Sequence, residues 1–321
     1  MNVLITGGTG FVGLNIAREL MSVGHQVVTF DLGGIKPAAY FEEASALRVH
    51  TGNVLSAEQI TDAIRQYNID CIVHGAAITA SQDRETTAAI DIVSVNTLGT
   101  INVLEAALAT GIKRVVSLGT GSVFGSAVKS SGTLDESKDI PQPDTLYGIS
   151  KYAAERVAVR YRQTRALDVV VARLGVVFGR YEHDTGLRDT LSAPLALGQL
   201  ALNSEHATVY RGLPNDWVYA SDVARAVALL IDAQRVLSSV YQIGTGRAWS
   251  VENWCEQLAQ TCPGFTYDMV DEQAQATIGR VTPLSRPCFS IDRLNRELGY
   301  EPKFMPQAAF DDYMQWLRTT V

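Results

Sequence analysis

No two of the four cysteines, Cys71, Cys255, Cys262 and Cys288, stand in CxxC spacing. In a chain of 321 residues they read as reduced, mostly buried thiols, which argues against a disulfide framework and leaves no zinc pattern. Basic charge is also short, with 27 Lys plus Arg against 34 Asp plus Glu and a formal net charge of −7. No basic run is available to follow a nucleic-acid backbone or an anionic membrane, so neither partner is expected. Long apolar runs are missing too: Val169 to Phe178 is interrupted by Arg173 and is too short to span a bilayer. The amino terminus enters an apolar segment without a basic flank or a small-residue cleavage pattern, so a cytoplasmic protein is expected.

What is present describes a globular chain, 46% hydrophobic and 19% charged, long enough for one large domain or two of ordinary size. Short β-branched runs alternate with helical patterns: Val3 to Thr6 then Phe11 to Ser22, Gln26 to Phe30, Leu47 to His50 then Ala57 to Gln66, Cys71 to His74 then a long helix ending near Thr110, and Val115 to Leu118. Such alternation predicts βαβ crossovers and a parallel sheet covered by helices on both faces. Gly119 to Thr145 reads as a long loop, Tyr147 to Arg165 as a helix, and the segment LDVVVARLGVVFG as one buried strand. Beyond Gly179 the alternation weakens. A first α/β domain is therefore expected over 1–173 plus about 218–244, interleaved with a second, less regular one over 174–217 and 245–321.

The segment TGGTGFVG, Thr6 to Gly13, follows the first apolar run. Glycines at 8, 10 and 13 give GxGxxG, and those at 7, 10 and 13 give GxxGxxG. Between a strand and a helix, such a loop aims free backbone N–H groups and the positive helix end at a pyrophosphate. Any tight strand-to-helix turn can use the same residues, so the rest of the chain must decide. Asp31 ends the second strand 18 residues after Gly13, where a carboxylate can accept hydrogen bonds from ribose hydroxyls, although an isolated Asp there also suits a solvated turn. A 2′-phosphate would meet that carboxylate, and no Arg or Lys follows before Lys36, which favours NAD over NADP. Tyr147 and Lys151 form YxxxK, which puts phenol and ammonium on one helix face as a workable acid/base pair.

Taken together, TGGTGFVG, Asp31, HGAA from His74, Asn96 in VNTLGT, LGTGSVFG from Leu118, YGISK from Tyr147 and the DVA at Asp222 resemble, in order and spacing, the extended short-chain dehydrogenase/reductase family, the NAD-dependent epimerases/dehydratases. The resemblance covers essentially the whole chain and implies a doubly wound α/β fold of Rossmann type with a smaller, interleaved C-terminal substrate domain. It implies Thr120 as the hydroxyl that bonds the reacting oxygen, Tyr147 as acid/base, and Lys151 as the group that holds the nicotinamide ribose and activates the phenol. The cofactor wall would comprise Gly7, Gly10, Phe11, Val12, Gly13, Asp31, Asn53, Val54, Ala76 and Asn96 together with Tyr147 and Lys151. Ser122 competes with Thr120 for its role, while His74 and Asn96 also suit purely structural duties. Asn53 replaces an acid common in the family, yet its amide oxygen can still accept from the adenine amino group.

The resemblance is incomplete where relatives grip a sugar-linked diphosphate: Val176, Arg180 and Asn215 stand at positions where other residues are usual. Arg180, Arg188, Arg211 and Arg286 remain candidates to hold an anionic group. The residues therefore favour, first, an NAD-dependent oxidoreductase acting on a secondary alcohol or ketone of a small, sugar-like or hydroxylated substrate. The alternative is a nucleotide-sugar epimerase or dehydratase, such as a UDP-sugar 4-epimerase, that recycles its hydride; a non-catalytic NAD sensor ranks last. A homodimer is implied by the resemblance, through the helices Asp83 to Thr110 and Tyr147 to Arg165.

Overall fold

The computed structural model describes residues 1–33, 46–125, 132–183, 186, 188–189, 191–212, 214–278 and 287–320. Along the chain run β1 (Asn2–Thr6), α1 (Phe11–Ser22), β2 (Gln26–Asp31), β3 (Arg48–Thr51), α2 (Ala57–Gln66), β4 (Cys71–His74), α3 (Gln82–Thr87), α4 (Ala89–Val93), α5 (Gly99–Thr110), β5 (Arg114–Thr120) and α6 (Leu146–Thr164). There follow β6 (Val169–Leu174), β7 (Val176–Phe178), α7 (Ala193–Leu202), β8 (His206–Tyr210), β9 (Trp217–Tyr219), α8 (Ala220–Asp232), β10 (Val240–Ile243), α9 (Val251–Thr261), β11 (Thr266–Val270), α10 (Asp292–Leu298) and α11 (Pro306–Thr320).

Seven strands form one parallel sheet in the order β10-β6-β5-β4-β1-β2-β3. Because side chains alternate along a strand, each strand feeds both faces. Val3, Ile5, Val73, Val116 and Ala172 pack with α1 and α8 on one side, where Ile16, Leu20, Val223 and Val227 meet them. Leu4, Ile72, Val115, Val169 and Val171 pack on the other side with Ile60 of α2, Val103 and Leu104 of α5 and Ala158 of α6. Strand order reverses between β1 and β4, and in such sheets the crevice beyond the strand ends at that point is where ligands bind.

The long helix expected before Thr110 is broken. α3 and α4 are separated at Ala88, and the turn Ser94–Leu98 is wound as π-helix before α5 begins. The run Ala89–Thr110 is long and apolar enough to cross a membrane by length and composition; here the buried Val103, Leu104, Ala106 and Ala107 of this run pack into the sheet's core. The segment LDVVVARLGVVFG is also divided: β6 joins the large sheet, whereas β7, after Gly175, pairs with β9 in a separate two-stranded sheet. A further core gathers around Phe178, whose ring meets Trp249, Trp254 and Tyr219 edge to face at 5.3–5.5 Å, with α7, α9 and α11 closing it. Cys71, Cys255 and Cys262 are buried and Cys288 half-buried, all as free thiols.

Candidate active site

The first strand-to-helix turn is dictated by its glycines. Gly7 has φ +69°, and a Cβ on Gly13 would lie 2.3 Å from the Gly7 carbonyl oxygen, so helix and turn can meet only without that side chain. Gly10 caps α1 with no side chain, and the first turn contains no acid. The leading N–H groups at Phe11, Val12 and Gly13 therefore face a cavity of about 950 Å³ without a side-chain cap, the arrangement that suits a pyrophosphate. Gly7, Asp31, Asn53, Val54 and Ala76 line the same cavity, which runs on to Thr120, Ser122 and Tyr147. These residues fit a dinucleotide.

At the Asp31 end of the cavity stands Thr9, which the glycine motif does not single out. Its N–H and hydroxyl both donate to Asp31 Oδ2, at 3.1 and 2.7 Å, while Leu32 N–H donates to Oδ1 at 3.0 Å. Asp31 is thus locked to the glycine loop with acceptor capacity left on Oδ1. Asn53 Oδ1 accepts from Leu55 N–H at 2.9 Å and likewise keeps a second lone pair. Lys36 and Arg286 lie outside the described residues.

At the other end, α6 starts at the cap Thr145, whose hydroxyl accepts from Gly148 N–H. Tyr147, Lys151, Ala154, Glu155 and Ala158 then recur at helical spacing; Tyr147 reaches the cavity, while Lys151 to Ala158 sink into the protein. Tyr147 N–H donates to Glu85 Oε1. Helix and opposite wall touch closely, since a Cβ on Gly148 would stand 2.7 Å from the Ser122 carbonyl oxygen. Thr120 Oγ1 accepts from Ser122 N–H at 3.1 Å and lies 3.3 Å from Ser122 Oγ. Both hydroxyls face the cavity beside Tyr147, so the competition between them is a shared wall.

Behind this wall runs a buried polar chain. Thr100 Oγ1 donates to the Asn96 carbonyl, so it must accept from His74 Nε2–H; His74 Nδ1 then accepts from Thr6 Oγ1–H at 2.7 Å. Burial, and next the Lys151 charge, push His74 down to about 3, which keeps it neutral. Asn96, a residue expected on the cofactor wall, is fully buried: its Oδ1 accepts from Ile78 N–H, and its Nδ2 donates to Ile78 O and Ser150 Oγ, so its amide ties the π turn to α6. Burial also pushes the Lys151 ammonium down to about 8, against an opposing pull from Glu155.

The four candidate arginines separate. Arg188 lines the cavity, with its guanidinium 5.2 Å over the Phe11 ring and 3.1 Å from the buried Glu182. Arg180 is turned away onto Asp312, and Arg211 is bound at the surface by Glu252 and Asp271; neither lines the cavity. Arg84, His183 and Ser192, absent from the sequence expectation, do line it. Arg84 is held by Asp189 and the Gly186 carbonyl, partners more than a hundred residues away that no local pattern reveals. Among the described residues no three His, Cys, Asp or Glu side chains converge as metal ligands.

A model of the NAD dependent epimerase/dehydratase family matches residues 3–244. The chain is 29% identical over 99% of its length to a dTDP-glucose 4,6-dehydratase of Streptomyces niveus, covering 93% of that protein. Among solved structures it is similar to the UDP-glucose 4-epimerase of Thermus thermophilus in complex with NAD, at 26% identity, TM-score 0.83 and full coverage of both chains. The UDP-glucose 4-epimerase of Thermotoga maritima with UDP-glucose shares the fold at TM-score 0.84 and 23% identity, over 100% of this chain and 99% of that one.

Proposed function

The chain belongs to the NAD-dependent epimerase/dehydratase family, and from that premise we propose that it remodels the sugar of a nucleotide sugar, oxidising a carbinol carbon and returning the same hydride before product leaves. The observation that carries this reading is one cavity wall holding Thr120, Ser122 and Tyr147 opposite an uncapped helix α1, in a chain similar end to end to a nucleotide-sugar enzyme. This revises the order expected from sequence, where a net dehydrogenase came first because familiar diphosphate contacts were missing. Arg84 and Arg188 put two guanidinium groups on the cavity wall regardless, and such groups suit a diphosphate.

NAD bound in the cavity supplies the hydride acceptor and donor. Asp31 receives the adenosine ribose, and the α1 N–H groups hold the pyrophosphate. Tyr147 Oη takes the proton from the sugar hydroxyl and later gives it back. Thr120, with Ser122 beside it, holds the oxygen as it becomes a carbonyl, and Lys151 offsets negative charge on the Tyr147 oxygen. Inversion at the carbinol carbon needs no further proton carrier, whereas loss of water needs a second acid/base group. The wall also carries Asp31, tied to Thr9, Asp91 on α4 and His183, but the turn Gly121–Phe124 that follows Thr120 beside Tyr147 has no ionisable side chain; on that ground we favour epimerisation.

The test is to incubate the purified protein with UDP-glucose or dTDP-glucose and read products by NMR and mass. An isomer of unchanged mass, with turnover at least about 10²-fold lower in Tyr147→Phe, supports the proposal. Loss of water redirects it to dehydration, and accumulation of NADH equal to substrate consumed overturns recycling.

Self-association is proposed with it. Ile90, Val93 and Leu98 on the α4–α5 side and Ile149 on α6 are large apolar residues left 81, 42, 48 and 48% exposed on adjoining helices, a face that a second copy would cover.

A further inference from the structure

Lys151 lies almost wholly out of water, 4% exposed, and four residues along α6 Glu155 is buried to the same degree. That spacing brings the two side chains together, with Cβ atoms about 6 Å apart. Glu155 is not free to close on the ammonium. Arg173 of β6 grips both its oxygens, Nε to Oε2 at 2.7 Å and Nη2 to Oε1 at 2.6 Å. The Arg173 guanidinium also lies 5.1 Å over the ring of Phe124, which belongs to the short turn Gly121–Phe124 directly after Thr120. Its remaining nitrogen, Nη1, has no acceptor among the described residues. One guanidinium thus braces the Thr120 turn against the helix carrying Tyr147 and Lys151.

We propose that Glu155, clamped by Arg173, is a positioning residue for the reaction: its fixed carboxylate keeps the buried Lys151 ammonium charged without consuming the donors that Lys151 offers elsewhere. The proposal rests on the reading of Lys151 as the partner of Tyr147. A loose carboxylate would hydrogen-bond the ammonium outright, whereas one already filled by a bidentate guanidinium acts through its field. The other groups around Lys151 do not replace it. His74 on β4 is neutral, Tyr147 is a phenol, Arg173 on β6 is of like charge, Asp91 on α4 is exposed at the cavity, and Glu105 on α5 is engaged by Tyr161 and Arg165 near the far end of α6.

The chain has six lysines, few enough to follow by 13C NMR of labelled side chains, and the purified protein is titrated this way. In Glu155→Gln the Lys151 midpoint is expected to fall by about one unit or more from its value near 8. Because that change strands a buried guanidinium and can cost the fold, the double variant Glu155→Gln/Arg173→Met, which removes both charges, is measured beside it and is expected to show a fall in the same direction but smaller, since losing the like-charged guanidinium partly offsets losing the carboxylate. A Lys151 midpoint unmoved in the folded double variant overturns the proposal. The alkaline limb of turnover is expected to move with the midpoint. A limb that stays while the midpoint moves shows that Glu155 sets the Lys151 charge but rejects Lys151 as the partner of Tyr147, and with it the role of Glu155 in the reaction.

Discussion

The site carries a destabilising charge at Lys151. Its ammonium titrates near 8 in the folded chain against 10.5 for an ordinary lysine, and the cause is burial. Below pH 8 the group is charged in both folded and unfolded chains, and the folded state bears the full cost, on the order of 3 kcal/mol. Between pH 8 and 10.5 the unfolded chain holds the proton more tightly, so stability recovers as pH rises. Lys151→Met is therefore expected to unfold at a higher temperature than the parent at pH 7, by calorimetry, with that advantage shrinking towards pH 10.5, while turnover is lost. Equal melting temperatures at pH 7 would count against a charged, buried Lys151.

The strand-to-helix turn at Thr6–Gly13 shows what sequence makes visible in an element and what it hides. Its glycine spacing, the YxxxK repeat and the alternation of strand and helix are local patterns, set by sterics and periodicity within one element, and they located β1, α1, α2, β4 and α6 to within a residue or two. Gly13→Ala would place a methyl 2.3 Å from the Gly7 carbonyl, so that variant is expected to lose bound NAD and several degrees of thermal stability; NAD content after gel filtration is the measurement. What sequence hid depends on distant partners. The π turn at Ser94–Leu98 exists where Asn96 reaches Ile78 and Ser150, and the break at Gly175 exists because β7 pairs with β9 rather than extending β6. Arg180 and Arg211 looked like anion ligands because their acids, Asp312, Glu252 and Asp271, lie 41 to 132 residues away.

At the scale of the molecule, a parallel sheet brings the first turn of the chain and the helix after β5 to one crevice, which Trp217 of the further core around Phe178 also lines, together with Ser192 and Pro194. The apolar face of Ile90, Val93, Leu98 and Ile149 is expected to make the protein a dimer by light scattering at micromolar concentration, and Ile90→Glu a monomer with little loss of fold; a monomeric parent protein would reject that interface. The central claim is that hydride never leaves the molecule. It is tested most directly with UDP- or dTDP-glucose deuterated at C4, in the presence of excess free NAD. The account predicts deuterium retained in the product sugar and none in the free cofactor pool. Deuterium accumulating in free NADH, one equivalent per turnover, would contradict it.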